Sequence, residues 1–155
     1  MKTIFIENRE EIEQVITGCE VCYVGMVDGD EPYVIPMNFG FKDNVIYLHS
    51  AQDGRSIRLL EKNNRVCITF SNGHKLAFQH PQVACSYGMK ARSVIAYGNV
   101  SFVDDFEKKV DALNIIMSHY SNKEFKYSDP AVINVKIWMI EIDRIFCKEL
   151  GASLK

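Results

Sequence analysis

The sequence predicts a mostly β fold with flanking helices, and three observations predict it. Residues 33–50 alternate apolar with small or polar side chains at period two around a central Asp43-Asn44 pair, the pattern of two strands and a turn. Runs rich in β-branched and aromatic residues recur at 22–27, 65–71, 92–103 and 132–142. The longer helical periods are confined to two stretches, one after Asn8 and one after Asp104.

Taken in order, the elements have local reasons. Asn8 caps an amphipathic helix with Glu11 three residues on, a capping box, and Gly18 ends it. Strands at 22–27 and 33–41 are joined at Asp28-Gly29, and a third runs over 45–49. Asp53 is the expected N-cap of a short helix whose pattern, 57–62, stops at Asn63-Asn64. After the strand at 65–71, residues 72–89 carry Gly73, Pro81 and Gly88 and no clear period. They read as a long loop with some irregular strand, and such loops often lie over binding sites. The strand at 92–103 contains Gly98, a position for a bulge or a close backbone approach. Asp104 is the expected cap of the second long helix, with Glu107 at its third position. Phe106, Val110, Leu113, Met117 and Tyr120 form its apolar stripe, for core or dimer contact. A polar loop at 121–130 leads to the last strand, 132–142, and no repeat, low-complexity tract or linker interrupts the chain.

Composition places limits on function. The 155 residues, 47% hydrophobic and 25% charged, are enough for one domain, 1–155, with an ordinary core. Eighteen Lys and Arg against twenty Asp and Glu give a formal charge of −2, so no basic field recruits nucleic acid. The apolar run at the N-terminus is too short for a signal peptide, and no stretch is long enough for a membrane helix, so the cytoplasm is the expected location. Five cysteines without an export signal argue for reduced thiols. Cys19 and Cys22 form a C-x-x-C, but residues three apart in a strand face opposite ways and do not share a metal. His74, His80 and Cys85 lie in the loop-like stretch and read as solvated, and no metal site is expected.

The hairpin carries the functional signal. Ile35, Met37, Phe39 and Phe41 share one face, and Val34, Pro36, Asn38 and Gly40 the other. With Asp43-Asn44 as a two-residue turn, Lys42 faces Val45, Gly40 faces Tyr47 and Asn38 faces His49. Asn38, Tyr47 and His49 then share a surface. Burying an unpartnered Asn or His costs roughly 1–3 kcal/mol, so that surface is expected to meet water, another chain or a planar polar ligand. Directly after it, Asp53-Gly54-Arg55-Ser56 opens a helix, where free N–H groups, a guanidinium and a hydroxyl suit a phosphate. By itself such a turn is most often just a helix cap. A flat ring and a phosphate together describe flavin mononucleotide, FMN.

These residues resemble a known family. Pro-Tyr-Val-Ile-Pro-Met-Asn-Phe-Gly at 32–40, Ile-Tyr-Leu-His-Ser at 46–50, Gly-Arg at 54–55 and Ala-Arg-Ser-Val-Ile-Ala-Tyr-Gly at 91–98 are similar to the pyridoxamine 5′-phosphate oxidase-like FMN-binding split β-barrels. Within that family they resemble the branch related to nitroimidazole-resistance proteins, and the resemblance spans roughly residues 22–148. It implies a homodimer with two FMN molecules in clefts between subunits. Met37, Asn38, Tyr47, Leu48, His49 and Ser50 would lie along the ring and ribityl chain, Arg55 and Ser56 would hold the phosphate, and Arg92 and Ser93 would lie near the same cleft. Two departures stand out: Ser56 replaces the usual Lys after Gly-Arg, and the C-terminal Trp and Arg-rich substrate signature of the oxidases proper is not matched around Trp138.

The expected activity is electron transfer through FMN from a reduced donor, such as a reduced nicotinamide, to a small acceptor, a nitroaromatic being one candidate. His49 is the expected proton donor or acceptor-orienting group. The rival readings are a non-enzymatic flavin-binding or storage protein, and a module for haem or another planar ligand. No Gly-x-Gly-x-x-Gly dinucleotide motif and no Gly-x-Ser-x-Gly elbow is present, so a nicotinamide-binding fold and serine hydrolysis have no support.

Overall fold

Strand-forming runs need partners for every backbone N–H and C=O, and one sheet supplies them here. A computed structural model describes residues 2–152. Its strands are β1 (Lys2–Ile6), β2 (Cys22–Asp28), β3 (Glu31–Met37), β4 (Gly40–Lys42), β5 (Val45–Ala51), β6 (Arg65–Ala77), β7 (Gly88–Val103) and β8 (Val135–Ala152). They form one eight-stranded sheet in the order β3-β2-β6-β7-β8-β5-β4, with β1 on β8. Every pairing is antiparallel. The spine is β8: β7 runs along one edge from Ala91 to Val103, while the other edge takes β5 over Val135–Glu141 and β1 over Cys147–Ala152. The helices α1 (Arg9–Thr17), α2 (Arg55–Lys62), α3 (Phe106–Tyr120) and α4 (Asp129–Ile133) flank it. This is a mostly β split barrel with flanking helices, as the sequence predicts.

Several local expectations are corrected. The stretch 33–41 is not one strand of a hairpin: β3 pairs with β2 along its whole length, and only β4 pairs with β5. The predicted register holds where β4 exists, with Lys42 opposite Val45 and Gly40 opposite Tyr47. Asp43 and Asn44 take positive φ of 51° and 66°, as such a turn requires. Asn38, however, lies beyond the ladder, and His49 sits opposite Ile137 of β8. Asp53 is not the cap of α2; Gly54 is, at φ 146°, with no side-chain cap bond. Asp105 rather than Asp104 caps α3, its carboxylate accepting from the Lys108 N–H at 2.9 Å. The stretch 72–89 is a loop with some irregular strand, as expected: β6 and β7 stay paired out to Ala77 and Gly88 with a register shift between Asn72 and Lys75, and residues 78–87 form the loop between them. Residues 132 and 133 close α4, and the last strand runs on from Val135 to Ala152 rather than ending at 142.

The core lies inside the barrel. Phe39, Phe70 and Trp138 are the largest fully buried side chains, packed with Ile46, Leu48, Ile68 and Ile140. Val15 and Ile16 of α1 and Ile57, Leu59 and Leu60 of α2 reach the same cluster. The Asn8 cap of α1 forms as expected, its side chain accepting from the Glu11 N–H at 3.0 Å. The centre of the α3 stripe is Lys109, Ala112 and Ile116, so Phe106 and Tyr120 fall at its exposed margin.

Two glycines are fixed by close approach. At Gly40 a Cβ would lie 2.8 Å from the backbone of Ile115, which lets α3 rest directly on β4. At Gly98, where the β7–β8 register shifts, a Cβ would lie 2.5 Å from the Glu141 carbonyl oxygen and 2.6 Å from the Ile140 side chain. Gly98→Ala is therefore expected to cost about 1–3 kcal/mol, read as a lower denaturant midpoint at unchanged m-value.

Candidate functional site

The site grows out of the place where one extended segment changes partners. Met37 ends β3, half-buried against the core, and its carbonyl accepts from the Cys22 thiol at 3.5 Å. Between it and β4, the backbone of Asn38 and Phe39 crosses from one half of the sheet to the other. The crossover is held by α3: the Tyr120 hydroxyl accepts from the Phe39 N–H at 3.0 Å and donates to the Glu20 carbonyl at 2.7 Å. Asn38 Nδ2 donates to the Tyr120 hydroxyl at 3.3 Å and to the Glu20 carbonyl at 3.4 Å. Its Oδ1 acceptor has no partner among the described residues. His119 Nε2 donates to the Cys19 carbonyl at 2.7 Å, and its ring packs 4.4 Å from that of Phe39.

Because the segment changes partners, two sheet edges are left open. Among the described pairings β3 has β2 on one side only, and Leu48 to Ala51 of β5 have β8 on one side only. The seam these edges border runs about 20 Å along β3 at strand rise, from Glu31 beside Arg55 to Asn38. Around it, Tyr47 is half-buried in the small cluster under α3 with Val103, Ala112 and Ile137, and its hydroxyl pKa is raised by burial and by Asp43 and Asp111. The Leu48 side chain is fully buried, leaving its backbone on the seam. Ser50 Oγ accepts from the Trp138 indole N–H at 3.0 Å and donates to the Ala51 carbonyl. His49 is exposed and has no hydrogen-bond partner among the described residues.

The far end of the seam is the start of α2. Its first intrahelical bond runs from the Arg58 N–H to the Gly54 carbonyl, so the N–H groups of Arg55, Ser56 and Ile57 are open. No acidic residue stands in that first turn. A Cβ at Gly54 would meet nothing within 4 Å, so the approach is clear. The donor set of N–H groups, the Ser56 hydroxyl and a guanidinium fits a phosphate at the helix start. Arg55 is not idle there: Nε and Nη2 donate to Asp28 Oδ2 at 3.0 and 2.6 Å, and the guanidinium lies 4.2 Å over the Tyr33 ring. The Asp28 hydrogen bond raises its pKa further. The loop before α2 is anchored from behind, since Gln52 Nε2 and the buried Lys109 Nζ both donate to the carbonyls of Ile133 and Val135.

Arg92 and Ser93 lie elsewhere in the chain. Ser93 pairs with Lys148 of β8 while Tyr47 pairs with Met139; nine strand residues at ordinary rise separate them by about 30 Å of strand. Arg92 itself is paired with Glu149 at 2.9 Å, with Glu11 at 4.0 Å. Within one chain, Met37 and Asn38 end the open edge of β3, residues 48–51 form the open edge of β5, and Arg55 and Ser56 start α2 beside Glu31, while Arg92 and Ser93 lie about nine strand residues away along β8.

Cys19 and Cys22 serve structure. They donate to different carbonyls, Val15 and Met37, and burial pushes the Cys22 thiol up to about 12. His74 pairs with the Ser71 hydroxyl and His80 with the Gln82 N–H, and no metal-ligand cluster occurs among the described residues. No helix among them is long and apolar enough to cross a membrane. Sequence reasoning missed Tyr120, Glu20 and Asp28: the first two act across 81 to 100 residues of chain, and Asp28 looks like an ordinary turn residue.

A split barrel with an open seam and a helix start facing it defines a class of ligand-binding β proteins. A profile of the pyridoxamine 5′-phosphate oxidase family matches residues 8–148, and the chain belongs to that family. It is similar to a candidate 5-nitroimidazole antibiotic resistance protein from Bacteroides thetaiotaomicron VPI-5482, with 48% identity over 96% of this chain and 87% of that one, at a TM-score of 0.87. At 12% identity it matches the FAD and heme binding protein from Mycobacterium smegmatis over 100% of this chain and 76% of that one, with a TM-score of 0.86. At 18% identity it matches the flavocytochrome Anf3 from Azotobacter vinelandii over 97% of this chain and 72% of that one, with a TM-score of 0.80. These last two likenesses show the fold alone. Among curated proteins no match is found.

Proposed function

We propose that the protein is a homodimeric, cytoplasmic flavoprotein that binds FMN in the seam and passes electrons from a reduced donor, such as a reduced nicotinamide, to a small acceptor. The observation that carries this reading is the order of groups along the seam: an open sheet edge for a ring, then an uncapped helix start with Arg55 and Ser56 for a phosphate. The 48% identity to the Bacteroides protein favours a nitroaromatic as the acceptor.

The flavin, when bound, supplies the redox chemistry, and the protein supplies position and polarity. Asn38 Oδ1 and the backbone from Leu48 to Ser50 offer hydrogen bonds to the polar edge of a ring, with Met37 packing beside it. Ser56 and the open N–H groups of α2 hold the phosphate together with Arg55. His49, exposed and without a hydrogen-bond partner among the described residues, orients the acceptor or hands it a proton.

Dimerisation has its own support. The outer sheet face carries a row, set by register, of Pro36, Tyr23, Thr69, Ile95 and Phe146, with Val34 and Tyr97 in the next. Val34, Tyr23 and Phe146 are 59%, 51% and 45% exposed, a contiguous apolar face of a kind monomers rarely leave in water. A second copy on that face would bring a partner's sheet to the seam, and with it the Arg92 and Ser93 that one chain keeps apart from it.

Titration separates the two ends of the site. Arg55→Ala should weaken FMN binding about 10- to 100-fold and leave riboflavin binding unchanged, since it removes a charge-assisted contact. Equal affinities of the wild type for FMN and riboflavin would refute the phosphate assignment. His49→Ala should stay yellow at saturating FMN while reduction of a nitroaromatic by the flavin-loaded protein slows about 10²-fold or more. Full turnover in that variant would favour the storage reading instead.

A further inference from the structure

The phosphate end of the seam carries more acid than base. Arg55 is bonded to Asp28 at 2.6 Å and lies 3.5 Å from Glu31, both on strands that meet at the β2–β3 turn, which also contains Asp30. One turn further along α2, Arg58 is paired with Asp53 at 3.1 Å. Two guanidinium groups therefore stand among four carboxylates, and at the position where the family resemblance expects a second cation the chain has Ser56. The pairing of Arg55 is side-on: Nε and Nη2 both point at one Asp28 oxygen, so a phosphate finds the Nη1 edge free and a full negative charge directly behind it.

Resting on the flavin reading above, we infer that Asp28 is a latch on Arg55 that competes with the flavin phosphate and so sets how strongly the protein prefers FMN to flavins without a phosphate. The argument is one of charge and placement. A phosphate monoester brings up to two negative charges to a guanidinium whose charge Asp28 already balances. Two unit charges about 4 Å apart in water interact on a scale of roughly fivefold in an equilibrium constant, the same size as an exposed ion pair. Neither contact overwhelms the other, so they compete. Removing the latch does not set Arg55 adrift, because the guanidinium also lies 4.2 Å over the Tyr33 ring. Asp28 touches none of the groups assigned to the ring end of the seam, so its influence is confined to the phosphate.

The test is Asp28→Asn in the full chain stripped of flavin, titrated with FMN and with riboflavin by flavin fluorescence. Asn retains the size and turn preference of Asp at that position. FMN should bind about fivefold more tightly than to wild type, with riboflavin unchanged. Glu31→Gln, which removes the weaker contact, should move FMN in the same direction by about twofold, and serves if Asp28→Asn does not fold. Unchanged or weaker FMN binding in both variants, with the wild type still preferring FMN to riboflavin, overturns the latch and makes Asp28 a support for Arg55. Equal tightening of FMN and riboflavin overturns it too. A wild type that does not distinguish the two ligands fails earlier, on the flavin reading itself, and takes the latch with it.

Discussion

The fold depends on a change of partner at two residues. An extended segment from Glu31 to Lys42 would satisfy its backbone most simply along one neighbour, yet here its first part pairs with β2 and its last part with β5. At the crossing the ladder cannot serve the Phe39 N–H, and the Phe39 ring is fully buried. A buried unpaired N–H costs about 1–3 kcal/mol, and the Tyr120 hydroxyl removes that penalty. One hydroxyl at the end of α3 therefore fixes the crossover, the Asn38 amide and the α1–β2 connection at Glu20 together.

From that crossover the remaining architecture follows. Splitting the segment opens an edge on β3 and another at the end of β5, and open edges inside a domain invite pairing with something else. The short connection from β5 to α2 then sets a helix start at the far end of the same seam, with Gln52 and Lys109 bracing it against the start of β8. One chain builds an open sheet edge and an uncapped helix start but holds Arg92 and Ser93 a long way along the sheet. On the dimeric reading proposed above, the apolar outer face of β2, β3, β6 and β7 is the surface through which a second chain would reach the seam.

Much of this was legible in the sequence because it is local. The Asn8 cap, the positive-φ pair at Asp43-Asn44, the β4–β5 register and the Gly98 irregularity are all set by residues within a few positions of one another. The sequence placed Gly54, Arg55 and Ser56 at a helix start, which the structure has at α2, but its hairpin pairing of Asn38 with His49 is not formed. The splitting of the first hairpin strand was not legible, since β3 and β4 read as one continuous alternation and nothing local marks Asn38 as its end. The extension of β6, β7 and β8 was hidden for a related reason: those residues mix polar side chains with exposed apolar ones such as Leu76, Met89, Phe146 and Leu150, so burial leaves no clear pattern, yet they stay paired with each other. Asp28 read as a turn residue, and only its distance to Arg55 gives it a second role.

The claim that joins these points is that each chain holds half of a shared flavin site. It is tested by light scattering of the FMN-loaded protein as it elutes from a sizing column, with flavin absorbance read on the same peak. The account predicts a particle of twice the 17.7 kDa chain mass carrying one FMN per chain. A particle of single-chain mass that retains a full equivalent of FMN would contradict it, because the seam of one chain would then be a complete site.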